Sequence, residues 1–427
     1  MKKVFVGFLG FGTVGQGAVR TLLQNKEEIT MKTGVEVEIK KIAVKHLDKK
    51  RDFSVPAHLL TDDPYEVVND PGIDIVVELI GGLEPARSLI KKALENGKNV
   101  VTANKEVIAR YGGELLPYAG ERKLDLYFEG AVGGGIPIVR PMKICLAANR
   151  IYSVVGILNA TTNYILTKMA EERWTYLDAL KDAQERGYAE ADPTYDVEGL
   201  DAAYKISILA SIAFNSRVNV DEVYREGIAK ISPIDLVYAE ELGYVIKLLA
   251  IAKEENGMLS IRVHPALIPK HHPLASVRGV NNAILVHGSS VGRVMFYGEG
   301  AGSLPTGSAV VGDIIDIVRN IAFNCTGRIS CTCFRQIAQK DISEIISKYY
   351  LRMKVKDQPG VLAAIATCFG EEKVSIASVV QKRQVNKSAE IVWITHPSRE
   401  GALREALKKI EELPVVEEIN IVLRAEE

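Results

Sequence analysis

Short apolar runs alternate with stretches of helical periodicity over the first 150 residues of the chain. The runs at Lys3–Leu9, Val35–Val44, Asp74–Ile80, Asn99–Thr102 and Asp125–Phe128 read as buried strands, and helical patterns lie around Pro85–Glu95 and Gly113–Arg122. Strands separated by helices in this rhythm predict a doubly wound α/β sheet. From Asn149 to about Phe323 the pattern changes to longer strands at Ile151–Leu158, Ser260–Leu267, Ala283–Val286 and Arg293–Tyr297, mixed with helices. That mixture predicts an α+β domain suited to substrate binding and self-association. Residues 324–348 read as a linker. The tail then runs strand (Tyr349–Val355), helix (Val361–Phe369), strands (Ser375–Gln381, Glu390–Thr395), helix (Glu400–Ile410) and strand (Val415–Val422). This βαββαβ order is ferredoxin-like, and with no catalytic cluster it reads as a regulatory or assembly module. The expected division is 1–148, completed by part of 300–323, then 149–323, 324–348 and 349–427.

Length and charge agree with that division. A chain of 427 residues predicts two to four domains. With 53 basic against 54 acidic residues and no long single-sign block, neither nucleic acid nor a membrane surface is an expected partner. Five cysteines, odd in number, fit a reducing compartment, and Cys331 and Cys333 lack the second ligand pair a zinc site needs. The N-terminal apolar run is broken by Gly7, Gly10 and Gly12, and no run reaches membrane-spanning length, so the expected location is cytoplasmic.

The first strand leads into Gly10-Phe11-Gly12-Thr13-Val14-Gly15 and then a helical pattern. In this G-x-G-x-x-G, Gly10 permits the tight turn, Gly12 the approach of a pyrophosphate and Gly15 close helix–strand packing; a merely structural turn is the weaker reading. The second strand ends in Lys45-His46-Leu47-Asp48-Lys49-Lys50-Arg51 rather than in an acidic residue. A carboxylate there would repel a 2′-phosphate and cations attract one, so NADP(H) is expected over NAD(H), which stays possible. The plain alternative is a solvated basic loop. Ile80-Gly81-Gly82 and Thr102-Ala103-Asn104-Lys105 follow strand ends, where open α/β sheets bind ligands. Lys105 either points into that crevice to orient a carbonyl or move a proton, or simply opens the next helix. Glu129–Pro137 is glycine-dense and reads as a bend into the next domain. A second glycine loop, Gly298–Thr306, feeds the helix Gly307–Phe323, and at Gly302 the chain could return to the cofactor.

The segment Ala183–Lys205 packs several carboxylates ahead of an apolar helix. Asp201 and Lys205 stand four apart on one helical face, and the apolar run that follows predicts a lysine only half in water, with a lowered pKa. Upstream, Thr161 or Thr162 is the expected helix cap.

Taken together, these residues resemble the homoserine dehydrogenase family. Its signature is met by Ala183, Gly187, Tyr188, Ala189, Asp192, Pro193, Asp196, Gly199, Asp201 and Lys205, and the resemblance runs from Lys3 to about Phe323 through the glycine fingerprint, Thr102–Lys105, Glu129–Pro137 and Gly298–Thr306. The tail, with Asp357-Gln-Pro-Gly-Val-Leu362, is similar to an ACT domain. The resemblance implies a Rossmann-type first domain and reversible NAD(P)-dependent reduction of L-aspartate 4-semialdehyde to L-homoserine, on the route to threonine, methionine and isoleucine. It implies Lys105 and Lys205 as proton-transfer and orienting lysines, Asp201 holding Lys205, Glu190 on the substrate's amino group, and Asp196 and Thr161 at the substrate. It places the cofactor on Gly10 to Gly15, Lys45, Asn104, Lys105 and Gly302. It turns the 129–137 loop into a sodium site, with backbone oxygens at Glu129, Val132, Gly134 and Ile136. It further implies a homodimer or homotetramer, with threonine as the expected effector of the tail. Fusion to a preceding kinase domain is not expected, since nothing precedes the first strand. Family members have glycine where this chain has Ala160, so strain is expected there if that position needs positive φ. Two rivals stand beside this reading: an oxidoreductase for another amino-acid semialdehyde, and a nucleotide and amino-acid sensor without turnover. The Lys105, Asp201 and Lys205 set argues against the sensor.

Overall fold

The computed structural model describes residues 2–385 and 388–426; Met1, Asn386, Lys387 and Glu427, which fall inside the expected domain spans, lie outside the described residues. The chain divides into two compact units. One comprises Met1–Val154, Tyr204–Asp221 and Asn282–Gln336, and the other Val155–Ala203, Glu222–Asn281 and Ile337–Glu427.

The first unit is built on a six-stranded parallel sheet in the order Leu60–Thr61, Val35–Ala43, Lys2–Leu9, Ile75–Glu78, Asn99–Thr102, Leu126–Tyr127. Its inner strands Ile75–Glu78 and Asn99–Thr102 are buried throughout because both faces are covered, whereas Val35–Ala43 alternates apolar and charged residues. One face packs on the helices Thr13–Gln24 and Ser303–Ala322 through Val4, Val6, Phe8, Val19, Ile314 and Val318. The other packs on Ala86–Glu95 and Lys105–Glu121 through Val76, Leu89, Ile90, Val100 and Leu115. Asn99–Thr102 has the predicted bounds, and the helix Ser303–Ala322 covers one face of this sheet.

One element departs from the sequence reading. The helix expected from Gly113 begins eight residues earlier, at Lys105, so Gly112 and Gly113 lie inside it. Within the 324–348 stretch, Arg335 N–H bonds the Asn215 carbonyl and the Ala338 carbonyl accepts from Leu259 N–H.

In the second unit a long hairpin, Tyr244–Glu255 with Met258–Pro269, continues through Val416–Ala425, Ile346–Lys356, Ser388–Thr395 and Ile376–Val385. The last four strands take the ferredoxin-like arrangement, with the helices Val361–Glu371 and Glu400–Glu411 closing a core around Trp393, Tyr349 and Phe369. Strand Val416–Ala425 pairs in parallel with Met258–Pro269, matching Ala266 to Arg424 and Leu267 to Ala425. Among the described residues no helix is long and apolar enough to cross a membrane.

Candidate active site

In the first unit the glycine fingerprint forms the predicted strand–turn–helix. Gly10 takes φ 104°, and a Cβ there would lie 2.5 Å from the Leu79 carbonyl oxygen. A Cβ on Gly15 would lie 2.6 Å from the Gly10 oxygen, so both positions demand glycine for packing. Gly12 is different: a Cβ there meets nothing within 4 Å. It stands at the N-cap of Thr13–Gln24, whose first turn holds no acidic residue. The first N–H groups of a helix have no partner within it, and open space above them suits an anion. The return loop reaches the same place. Gly302, at φ 124°, precedes Ser303–Ala322, and Ser303 Oγ donates to the Thr13 carbonyl at 2.7 Å. A Cβ on Gly17 would fall 1.9 Å from the Ser303 oxygen, and one on Gly307 2.5 Å from the Gly17 carbonyl carbon. These two helices therefore cross backbone to backbone.

Lys45, Lys49 and Lys50 are exposed on the loop after the second strand. Arg51 folds back over Phe11, 5.6 Å from the ring centroid, and donates to the carbonyls of His46, Lys49 and Leu47. A guanidinium thus lies against the glycine turn, with Nη1 and Nη2 engaged by carbonyls of its own loop.

Deeper in the crevice, Glu78 is a residue the sequence reading missed. Its carboxyl group is fully buried at the end of Ile75–Glu78 and accepts from Thr102 Oγ1 at 2.6 Å and Ile80 N–H at 2.8 Å. Burial holds its pKa above the ordinary value. Thr102 Oγ1 in turn accepts from Asn104 N–H, and Asn104 Nδ2 donates to the Gly82 oxygen at 2.7 Å. Both crevice loops are thereby locked. Asn104 also caps the helix by accepting from Val107 N–H, which places Lys105 at its first residue, half-buried.

Lys205 lies on the helix Leu200–Ala213 and is only 9% exposed, more buried than its sequence surroundings predict. Arg110, on the Lys105 helix, donates from Nε to the Tyr204 hydroxyl at 3.1 Å and binds Asp221 with two hydrogen bonds of 2.8 Å. The two lysine-bearing helices are joined by this fork.

The glycine-dense loop carries Gly133 and Gly134 at φ 74° and 58°. The Glu129 carboxylate accepts from the N–H groups of Ile138, Val139 and Arg140 at 2.6, 2.7 and 2.7 Å, capping the short helix that follows. That side chain is fully engaged, so a cation held by this loop would rely on main-chain oxygens; the Glu129 carbonyl receives only a long 3.4 Å bond from Val132 N–H.

In the second unit the organising residue is Asn159, not the threonines. Its side chain caps Ala160–Glu172 by accepting from Thr162 N–H, which corrects the expectation of a threonine cap. Its Nδ2 donates to Asp196 Oδ1 at 2.7 Å and Asp201 Oδ2 at 2.8 Å. Thr161 donates to the Tyr188 oxygen at 2.7 Å and lies 3.1 Å from Asp196 Oδ2. Asp196, Thr161 and Asp201 are thus brought together. Glu190 stands apart on the exposed loop after Tyr176–Glu185, its carbonyl accepting from Gln184. Asp192, also exposed, caps Thr194 N–H at 3.1 Å and shapes the loop. Ala160 is the first residue of its helix and is absent from the positive-φ positions, so the expected strain does not arise.

A glycine-turn parallel sheet with a basic loop and a buried lysine defines a nicotinamide-dinucleotide oxidoreductase. Family models agree: residues 10–129 match the homoserine dehydrogenase NAD-binding domain, 137–315 homoserine dehydrogenase, and 349–415 the ACT domain. The chain is 48% identical to a homoserine dehydrogenase of Synechocystis over 99% of both chains, and 42% identical to that of Bacillus subtilis over 100% of this chain and 99% of the other. A crystal structure of the Thiobacillus denitrificans homoserine dehydrogenase superposes with TM-score 0.94 at 44% identity, covering 100% of this chain and 99% of that one. A hyperthermophilic archaeal homoserine dehydrogenase mutant in complex with NADPH superposes at TM-score 0.62 and 29% identity, covering 74% of this chain and 97% of its own. The chain belongs to the homoserine dehydrogenase family, enzymes that interconvert L-aspartate 4-semialdehyde and L-homoserine.

Proposed function

We propose that this homoserine dehydrogenase uses NADP(H) in preference to NAD(H), with Lys105 and Lys205 handling the proton at the substrate oxygen. A bound nicotinamide dinucleotide supplies the hydride. Lys205 donates the proton to the semialdehyde oxygen as it becomes an alkoxide, and its positive charge stabilises the developing negative charge. Lys105, at the crevice edge, orients the carbonyl. Asp201, one turn earlier on the same helix, orients Lys205. Thr161 and Asp196 position the substrate, and Glu190 takes its amino group. The 2′-phosphate is held by Lys45 with Arg51, the dinucleotide phosphates by Gly10 to Gly15 and Gly302, and the nicotinamide end by Asn104. Sodium, when bound, would be held by the carbonyl oxygens of Glu129, Val132, Gly134 and Ile136. The tail senses an amino acid, threonine first, and the enzyme works in the cytoplasm as a homodimer or homotetramer.

The observation that carries the proton-transfer roles is the Arg110 fork, which sets the Lys105 helix against the one bearing Lys205. Steady-state homoserine oxidation with NADP and NAD, with and without threonine and sodium, tests the reading. Lys205→Ala and Lys105→Ala should each lower kcat by about a hundredfold or more while the melting temperature holds. Near-parental turnover in either variant removes that lysine from the mechanism. Equal kcat/KM for the two cofactors removes the NADP(H) preference.

A further inference from the structure

Cys331 and Cys333 have no place in the reaction above. They lie in the first unit beside a small cavity of about 20 Å³, lined by Ile108 and Leu116 of the Lys105–Glu121 helix, Ile208 and Ile212 of Leu200–Ala213, Lys143 and Arg217. Both sulfurs are half-buried, within reach of a small solute. Arg217 Nη2 donates to Cys331 Sγ at 3.2 Å. The same guanidinium lies along Gly112 and Gly113, where a Cβ would come within 3.2 Å of Nη1 and 3.4 Å of Nε. A larger residue at either position would press on that guanidinium. Cys333 Sγ lies 3.5 Å from the Ser211 oxygen.

The environment of the two sulfurs is unequal. A hydrogen bond from the Cys333 thiol, against the opposing effect of burial, draws the Cys331 thiol well below its ordinary pKa, and the charges of Arg217 and Lys143 add to it. The Cys333 thiol is pushed up by the same hydrogen bond and by burial. A low-pKa, accessible thiolate with a protonated thiol two residues away is the arrangement of an attacking and a resolving cysteine.

We propose that Cys331 and Cys333 form a peroxide-reactive dithiol, with Cys331 the attacking sulfur and Cys333 the resolving one. The Cys331 thiolate bonds to one oxygen of a hydroperoxide, the O–O bond breaks, and the hydroxide that leaves takes up a proton to become water (an alcohol, for an alkyl hydroperoxide). Cys331 is then a sulfenic acid. The Cys333 sulfur bonds to the Cys331 sulfur, the S–O bond breaks, and the hydroxyl departs as water with the Cys333 proton. Two thiols have lost two electrons, and the peroxide has gained them. Closing the bond removes the thiolate that Arg217 holds, so the fork over Gly112 and Gly113 is released.

The test is mass spectrometry of the full-length enzyme after treatment with stoichiometric hydrogen peroxide. The expected result is a loss of about 2 Da located to the peptide holding both cysteines and reversed by dithiothreitol. Cys333→Ser should halt at the sulfenic acid, trapped by dimedone on Cys331, and Cys331→Ser should give neither product. Arg217→Gln should slow the reaction about tenfold or more, and Cys331 should alkylate at least about tenfold faster than Cys145 at neutral pH. Should Arg217→Gln not fold, the dimedone result with Cys333→Ser decides alone. No loss of mass, a disulfide to Cys145, Cys325 or Cys368, or dimedone labelling unchanged by Cys331→Ser overturns the proposal.

Discussion

Arg110 and Tyr204 are hydrogen-bonded, Nε to hydroxyl at 3.1 Å, with the guanidinium also 5.6 Å from the Tyr204 ring centroid. Tyr204 precedes Lys205 and Arg110 lies five residues after Lys105, so the pair fixes how the two lysine helices meet. Arg110→Ala should lower kcat by about ten- to a hundredfold, the range expected when reacting groups shift by about 1 Å. Arg110→Lys, which keeps the charge and loses the planar fork, should recover only part of it. Steady-state kinetics beside a thermal melt separates misplacement from unfolding.

Asn159 combines a helix cap with a bridge between Asp196 and Asp201. Asn159→Ala loses both and should destabilise the protein by about 1–3 kcal/mol. Asn159→Ser keeps a capping oxygen and should restore about 1 kcal/mol of that, without restoring turnover. Urea midpoints for the two variants check the separation.

The tail's attachment should weaken in acid. His264 is fully buried, and burial followed by the charges of Arg424 and Arg262 lowers its pKa from 6.5 to about 3. Its Nε2 faces Arg262 Nε at 3.2 Å and so accepts, which leaves Nδ1 to donate to the Pro265 oxygen at 3.0 Å. The unfolded chain therefore takes the proton first, and the stability tied to neutral His264 is present above pH 6.5 and lost as pH falls from 6.5 towards 3. Glu426 acts with the same sign: burial pushes its pKa up, but Arg262 and Lys253 bring it below the ordinary 4.5, so its contribution is lost in more acid solution. Both tryptophans, Trp174 and Trp393, lie in this unit, and their fluorescence should report a urea midpoint that drops from pH 7 to pH 4. In His264→Gln the decline between pH 6.5 and 5 should flatten.

Gly12 and Gly17 should fail in opposite ways. Gly12→Ala adds a methyl group into open space at an ordinary φ of −80°, so stability should stay within about 0.5 kcal/mol of the parent while cofactor affinity falls. Gly17→Ala drives a methyl group into the Ser303 carbonyl and should cost about 1–3 kcal/mol or more in overpacking. Thermal melts with and without NADPH distinguish the two: the Gly12 variant melts normally and loses the ligand-induced rise.

The parallel sheet was legible because its strands are short apolar runs bounded by polar turns, and Asn99–Thr102 shows how sharp that signal can be. The glycine turn, Lys105, Asp196, Asp201 and Lys205 were legible as motif positions. What escaped was set by tertiary contact. The Lys105–Glu121 helix reads only from Gly113, because the Arg217 side chain that lies along Gly112 and Gly113 is more than a hundred residues away. Asn159 is passed over for Thr161 or Thr162 as the cap, since its two carboxylate partners lie 37 and 42 positions further on. Glu78 was hidden for the same reason: inside an apolar strand its role depends on Thr102, on the neighbouring strand.

The last strand of the tail, Val416–Ala425, lies beside Met258–Pro269, and just beyond it Glu426 meets the buried Arg262 at 2.5 Å. The ACT module is therefore not a detachable cassette. Cutting the chain before residue 349 would bare a sheet edge and strand a buried guanidinium without its carboxylate, a combination that invites edge-to-edge aggregation. Transplanting a different sensor onto this enzyme would have to carry over that terminal strand and its closing glutamate, or replace Arg262 and its neighbours with residues that tolerate water.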